Sequence, residues 1–394
     1  MPTLAIQFAR LGPYHLARID AAANALKGLD WKVVALETAG SDSTYAWDEE
    51  TEQQSWERRT IFPNETWESI PPRRVKFGMT DGLNQIQPNA VAISGWGSPD
   101  ARACLAWCKR HGAKAIVMSE TRQADGNRAW WKEQIKKRLV SQFDAGLVGA
   151  LSHRDYLVKL GLSPEAIQLG YNVVDNHYFT IEANRFRREN TSLMLRPYFL
   201  ALNRFIERKN LDRLVSAYAE TTRNTDSKLK GWDLCLLGDG PLMSQLKIQA
   251  AAAGLNVAEV APWETVQEDQ GETTVFFPGF RQIEELPHFY AHASCFVHPA
   301  IEEPWGLVIN EAMACGLPIL SSANVGAAEE LVDDGVNGWT FNASDSGQIA
   351  EAMNRIAALE FEQISALGQA SLRILEERCP TEAFGEGLWS AISS

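Results

Sequence analysis

Residues 294–318 read SCFVHPAIEEPWGLVINEAMACGLP, and this stretch decides the architecture of the chain. It opens on an apolar run, Cys295-Phe296-Val297, of the length of a buried strand. The run breaks into a loop, His298 to Trp305, and a helix starts near Gly306. Gly316, placed for a left-handed cap, and Pro318, which cannot continue a helix, end it. Two carboxylates stand eight residues apart, Glu303 before the helix and Glu311 inside it. Glu311 lies among Leu307, Val308, Ile309, Ala312 and Met313, and no Lys or Arg falls three or four residues to either side to pair with it. A carboxylate on so apolar a helix is costly to bury without hydrogen-bond donors, and the paired hydroxyls of a ribose or sugar ring are such donors. The helix start at Gly306, Leu307 and Val308 offers free N–H groups and a positive dipole end, which suit phosphate.

Outward from this stretch, buried-strand runs alternate with helical signals. Tyr198–Leu202, Asp233–Leu237, Val275–Phe277 and Pro318–Leu320 join Cys295–Val297 in the second half. Thr3–Ala9, Trp31–Glu37, Ala90–Ser94, Lys114–Met118, Ala145–Leu151 and Ile167–Val174 supply the first. Such alternation predicts α/β units with parallel sheets. The expected domains are 1–183 and 197–380, with a charged linker at 184–196 and a last helix, capped by Thr381, over Ala383–Ile392. The polar stretch Ser41 to Pro72 reads as loop with short helices, and the acidic stretch Glu259 to Glu272 as a surface excursion.

Loops at the carboxyl ends of parallel strands are where ligands of α/β folds bind. Leu202-Asn203-Arg204-Phe205-Ile206-Glu207-Arg208-Lys209-Asn210 follows the strand at 198–202, so Arg204 and Lys209 are candidates for anion contacts, with Asn210 expected to cap the next helix. Gly238, in Leu237-Gly238-Asp239-Gly240-Pro241, would allow close backbone approach. Phe280 and Arg281 end another strand. In the first half, Gly12, Tyr14 and His15 follow the first strand and Glu120 follows the strand at 114–118. Each has a plainer reading as turn, salt-bridge or core residue.

The Glu-x7-Glu pattern inside EPWGLVINEAMACGLPIL resembles the donor-site motif of the family 4 retaining glycosyltransferases (glycosyl transferases group 1). The resemblance covers most of the C-terminal half. It implies the GT-B fold, two Rossmann-like β/α/β domains facing each other across a cleft, the last helix returning to the first. It implies a hexosyl unit moved with retention from a UDP- or GDP-sugar to a glycan or lipid-linked acceptor. Glu303 would meet the donor sugar, Arg204 and Lys209 the diphosphate, Glu311 the ribose, and Phe280 and Arg281 the base. Gly12, Tyr14, His15 and Glu120 would meet the acceptor; Glu120 stands near where the family often carries a His. Tyr171-Asn172-Val173-Val174-Asp175 resembles the segment that closes the family's first domain, with Val173 in place of Gly. No Asp-x-Asp occurs, so no metal or cofactor is called for, fixed cations taking that role. The competing readings are a nucleotide-sugar epimerase or hydrolase on the same fold, and a non-catalytic nucleotide-sugar-binding subunit. A dehydrogenase is disfavoured, since no Gly-x-Gly-x-x-Gly follows the first strand.

The 394 residues suffice for two cores, and a net charge of −13 argues against a general nucleic-acid binder, whose affinity comes from phosphate neutralisation. The six cysteines lack metal-ligand spacing and read as reduced thiols, which fits a cytoplasmic protein. MPTLAIQFAR has too short an apolar run for a signal peptide, and no run reaches membrane-spanning length. Over 130–140, Trp131, Ile135 and Leu139 share one helical stripe flanked by Lys132, Lys136, Lys137 and Arg138. That pattern suits either a helix packed on the sheet or peripheral contact with the inner membrane face.

Overall fold

A computed structural model describes residues 1–43, 55–126, 129–189, 196–223, 227–264 and 273–394. The chain divides into two compact units: Met1–Asp175 with Cys379–Ser394, and Asn176–Arg378. Each is built on a seven-stranded parallel sheet with helices in the crossovers, so both are Rossmann-like.

In the first unit the strands are β1 (Thr3–Phe8), β2 (Lys32–Ser41), β3 (Glu57–Thr66), β4 (Ala90–Ser94), β5 (Lys114–Ser119), β6 (Ala145–Val148) and β7 (Ile167–Leu169), in the order β3-β2-β1-β4-β5-β6-β7. The second holds β8 (Tyr198–Leu202), β9 (Asp233–Leu237), β10 (Asn256–Ala258), β11 (Thr274–Gly279), β12 (Cys295–His298), β13 (Ile319–Ser322) and β14 (Gly338–Phe341), in the order β10-β11-β9-β8-β12-β13-β14. The central strands are near-continuous apolar runs because both of their faces are covered. Each sheet reverses its strand order once, between β1 and β4 and between β8 and β12. The carboxyl ends of those strands are the crevices where α/β ligands bind.

Several expectations change. The stretch read as loop over 41–72 contains β3, and residues 44–54 of it lie outside the described residues. β3 is an edge strand with charged, half-exposed side chains, so it lacks the apolar signature of its neighbours. The run Ala145–Leu151 is a four-residue strand followed by a helix, Leu151–Lys159. Residues 184–189 of the expected linker are the last turns of the helix Asn176–Glu189, and 190–195 lie outside the described residues, as do 265–272 of the acidic excursion. The Thr381 hydroxyl donates to the Val174 carbonyl at 2.8 Å, and the following helix, Ala383–Ser393, packs on the helix Pro13–Leu26 within the first unit.

Arg187, on the helix Asn176–Glu189, donates from Nε to the Ala291 carbonyl at 3.0 Å and from Nη2 to the Cys315 carbonyl at 2.6 Å. One guanidinium thus serves the C-terminal ends of two helices, Leu286–His292 and Leu307–Ala314, where orphan carbonyls and a negative dipole end await a cation. All six cysteines are buried thiols outside any disulfide. Among the described residues no helix is long and apolar enough to cross a membrane.

Candidate functional site

The site is assembled where the second sheet reverses. The loop after β8 and the loop after β12 are laced together by Asn210, whose Nδ2 donates to the Pro299 carbonyl at 3.0 Å and the Ala343 carbonyl at 2.8 Å. Asn210 thus anchors two loops with its amide, its Oδ1 accepts from Arg213 Nη1 at 3.3 Å, and its backbone takes the left-handed conformation at φ 59°. The Ile301 N–H donates to the Arg208 carbonyl at 2.9 Å, tightening the same junction.

Across this junction Lys209 Nζ meets Glu303 Oε2 at 2.5 Å, and Arg208 Nη1 lies 3.7 Å from the same oxygen. The expected diphosphate cation and the expected sugar carboxylate are thus partners of each other, both largely buried. Burial pulls the Lys209 ammonium below the ordinary lysine range, and Glu303 opposes that pull. The Glu303 backbone is fixed as well: it bridges Val325, and its carbonyl accepts from the Gly326 N–H at 3.1 Å. Trp305 Nε1 donates to Asn310 Oδ1 at 2.9 Å, holding the loop to the helix Leu307–Ala314. Gly306, at φ +100°, turns the chain into that helix in a conformation side chains resist. Leu307 and Val308 form its first turn and are half-buried.

Glu311 is fully buried, as its apolar setting predicts. Tyr290, on the helix Leu286–His292, donates its hydroxyl to Glu311 Oε2 at 2.8 Å. Sequence reading missed Tyr290, because its partner is 21 positions away on another element. Arg204 is exposed, yet its charge contributes to lowering Lys209. Gly238 permits a close backbone approach: a Cβ there would stand 1.9 Å from the Asn203 backbone carbonyl oxygen. Phe280 is 40% exposed at the end of β11, while Arg281 Nη1 reaches Glu285 at 3.3 Å.

In the first unit, Gly12 precedes the helix Pro13–Leu26, and its N–H donates to His15 Nδ1 at 3.0 Å. Burial, with Arg18 and Arg10 nearby, holds His15 down to about 3, so the ring is neutral at pH 7. With Nδ1 accepting, the ring proton belongs on Nε2, leaving His15 a hydrogen-bond donor and a poor base. Tyr14 is half-buried on the same first turn, and Glu120 is exposed after β5. Arg18, unassigned from sequence, is buried, donates to the Val173 carbonyl at 3.3 Å and lies over the Tyr171 ring at 4.6 Å.

The helix Trp130–Val140 leaves Trp130 at 77%, Trp131 at 51% and Ile135 at 51% exposure, beside exposed Lys132, Lys137 and Arg138. Lys136 is drawn inward, its Nζ 2.8 Å from Glu133 and 3.1 Å from the Tyr156 hydroxyl.

Residues 196–358 match the family model described as Glycosyl transferases group 1. Over 184 residues the chain is 31% identical to a GDP-mannose-dependent alpha-(1-6)-phosphatidylinositol monomannoside mannosyltransferase of Mycolicibacterium smegmatis, covering 45% of this chain and 43% of that one. The chain thus spans less than half the length of this curated relative. Two solved structures share the fold throughout. Anabaena HepE in complex with UDP and glucose aligns with TM-score 0.71 and 16% identity over 100% of this chain and 99% of that one. A sucrose-phosphate synthase from Thermosynechococcus elongatus aligns with TM-score 0.72 and 18% identity over 99% and 98%. The fold is GT-B.

Proposed function

We propose that this chain, a member of the glycosyl transferases group 1 family through residues 196–358, transfers a hexosyl unit from a nucleotide diphosphate sugar to a glycan or lipid-linked acceptor, with retention and without a metal. The observation that carries the reading is the largely buried Lys209–Glu303 pair at the strand reversal, with Glu303 eight residues before a buried Glu311. Lys209, with Arg204 and Arg208 nearby and the N–H groups of Leu307 and Val308, supplies positive charge where a diphosphate leaves. Glu303 stabilises positive character at the anomeric carbon and positions the sugar hydroxyls. Glu311 accepts from the ribose. In the transfer, the bond from the anomeric carbon to the diphosphate oxygen breaks and one to the acceptor oxygen forms on the same face. Preorganised charge and positioning supply most of the rate.

The first unit carries the acceptor, with Gly12, Tyr14, His15 and Glu120 at the carboxyl ends of β1 and β5. His15 donates from Nε2 to an acceptor oxygen and takes no proton. Trp130, Trp131 and Ile135, with Lys132, Lys137 and Arg138, seat the helix 130–140 on an anionic bilayer, which suits a lipid-linked acceptor. Flotation with phosphatidylglycerol vesicles checks this: a Lys132→Glu, Lys137→Glu double variant loses the co-floating fraction, and equal flotation removes the membrane contact.

The main test combines UDP- and GDP-hexoses, labelled in the sugar, with and without glycan acceptors. Acceptor-dependent consumption of donor, with the anomeric configuration kept in the product by NMR, supports transfer. Turnover without acceptor favours the epimerase or hydrolase. Binding with no turnover favours a non-catalytic subunit.

A further inference from the structure

Buried polar atoms in folded proteins almost always have partners, so a cluster of buried atoms without them asks for an explanation. Two such side chains stand at the ends of adjacent strands in the second sheet. His298, the last residue of β12, is fully buried, and neither Nδ1 nor Nε2 has a hydrogen-bond partner among the described residues. Asn203, the first residue after β8, is 5% exposed, and neither Oδ1 nor Nδ2 has one either. β8 and β12 pair directly, Phe296 opposite Leu200, so the two side chains flank the point where strand order reverses.

Their surroundings include the charged residues of the candidate site. A Cβ on Gly306 would stand 3.6 Å from His298 Nε2 and 3.6 Å from Glu303 Cγ. Gly306 has none, so the ring, the Glu303 side chain and the start of the helix Leu307–Ala314 share one small space. Lys209 and Arg208 bear on the ring, which burial already keeps neutral, so it offers one donor and one acceptor. Asn203 offers the same pair as a side-chain amide, and its backbone carbonyl lies against Gly238, just past β9. Groups of this kind match a ligand that both donates and accepts at short range, as sugar hydroxyls and phosphate oxygens together do.

Resting on the transferase reading above, we infer that His298 and Asn203 are two further contacts for the nucleotide diphosphate sugar, their polar atoms reserved for it in the ligand-free fold. The competing role is purely structural, with an ordered water satisfying both groups. Substitutions of similar shape without polar atoms, His298→Phe and Asn203→Leu, separate the two. A ligand-contacting role predicts that the unliganded melting temperature holds or rises, because an unmet polar group is removed, while affinity falls about tenfold. A structural role predicts a lower melting temperature and unchanged affinity.

The probes are UDP, GDP, UDP-glucose and GDP-mannose, measured by calorimetry and thermal shift on the full chain. Loss of affinity for the diphosphate alone assigns the contact to phosphate. Loss confined to the sugar nucleotide assigns it to the sugar. His298→Asn and Asn203→Ser, which keep a smaller polar group, serve in the same measurements if the first pair does not fold. Wild-type binding of a probe with both variants within twofold of it overturns this inference alone. Failure of the wild type to bind any of the four overturns the transferase reading and this inference with it.

Discussion

Around β1 and β4 the polar groups close on one another, whereas around β8 and β12 they do not. In the first unit, buried Glu37 accepts from the Leu11 N–H at 2.7 Å, from Arg58 at 2.9 Å and from Thr60 at 2.7 Å. Gln7 and Thr38 both donate to Asp100 Oδ2, at 2.8 and 3.0 Å, and His15 takes the Gly12 N–H. In the second unit a cation and a carboxylate meet at the rim, and His298 and Asn203 have buried polar atoms without partners among the described residues. Both sheets are parallel and seven-stranded with such a reversal beside their first strand, so that feature alone does not separate these ends. Hydrogen bonding does: Glu37, Gln7, Thr38 and Asp100 have protein partners at one end, while His298 and Asn203 at the other have the unpartnered atoms from which a ligand contact was inferred above.

That contrast can be broken experimentally. The largest effect belongs to Lys209→Ala, which removes the buried cation that Glu303 contacts. Turnover is expected to fall about a hundredfold, with donor affinity changed much less. A rate within threefold of wild type in steady-state kinetics would erase the distinction between the two ends. Glu311→Ala is expected to weaken nucleotide binding about tenfold or more, as judged by calorimetry. Tyr290→Phe sharpens that result by removing only the hydroxyl that Glu311 shares with a ribose, and unchanged affinity in both variants rejects the ribose assignment.

The pH dependence is a subtler probe. Lys209 is depressed chiefly by burial and lifted by Glu303, so its charge is lost at lower pH than that of a solvated lysine. Removing the lifting charge, as in Glu303→Gln, depresses it further. The alkaline limb of kcat/KM therefore moves to lower pH in the variant, and a limb that stays in place contradicts the coupling. The smallest effect is expected at the first end. His15→Ala costs about 1 kcal/mol of stability through the lost contact at the helix start, read by denaturant unfolding. Turnover that holds at every acceptor concentration while stability falls would remove His15 from the acceptor contacts.

Much of this was legible in the chain. β4, β8 and β9 coincide with their apolar runs because both faces of those strands are covered. β3 was hidden because Arg58 and Thr60 point polar atoms at Glu37 from an edge strand, which breaks the apolar pattern. Glu311 could be singled out because its helix is otherwise apolar. The Lys209–Glu303 pairing could not, since 94 positions separate the partners and no local spacing encodes the meeting. Gly238 was legible as a place of close backbone approach, but that the approaching backbone is Asn203's was not, since 35 positions separate the two.

Arg187 stands apart from every side chain assigned to chemistry, yet it grips the far ends of the two helices that carry Tyr290 and Glu311. Loosening that grip would let the tyrosine and the acid drift relative to each other. A substitution at this remote spot should therefore be felt as poorer nucleotide retention, although no atom of the residue need come near the nucleotide.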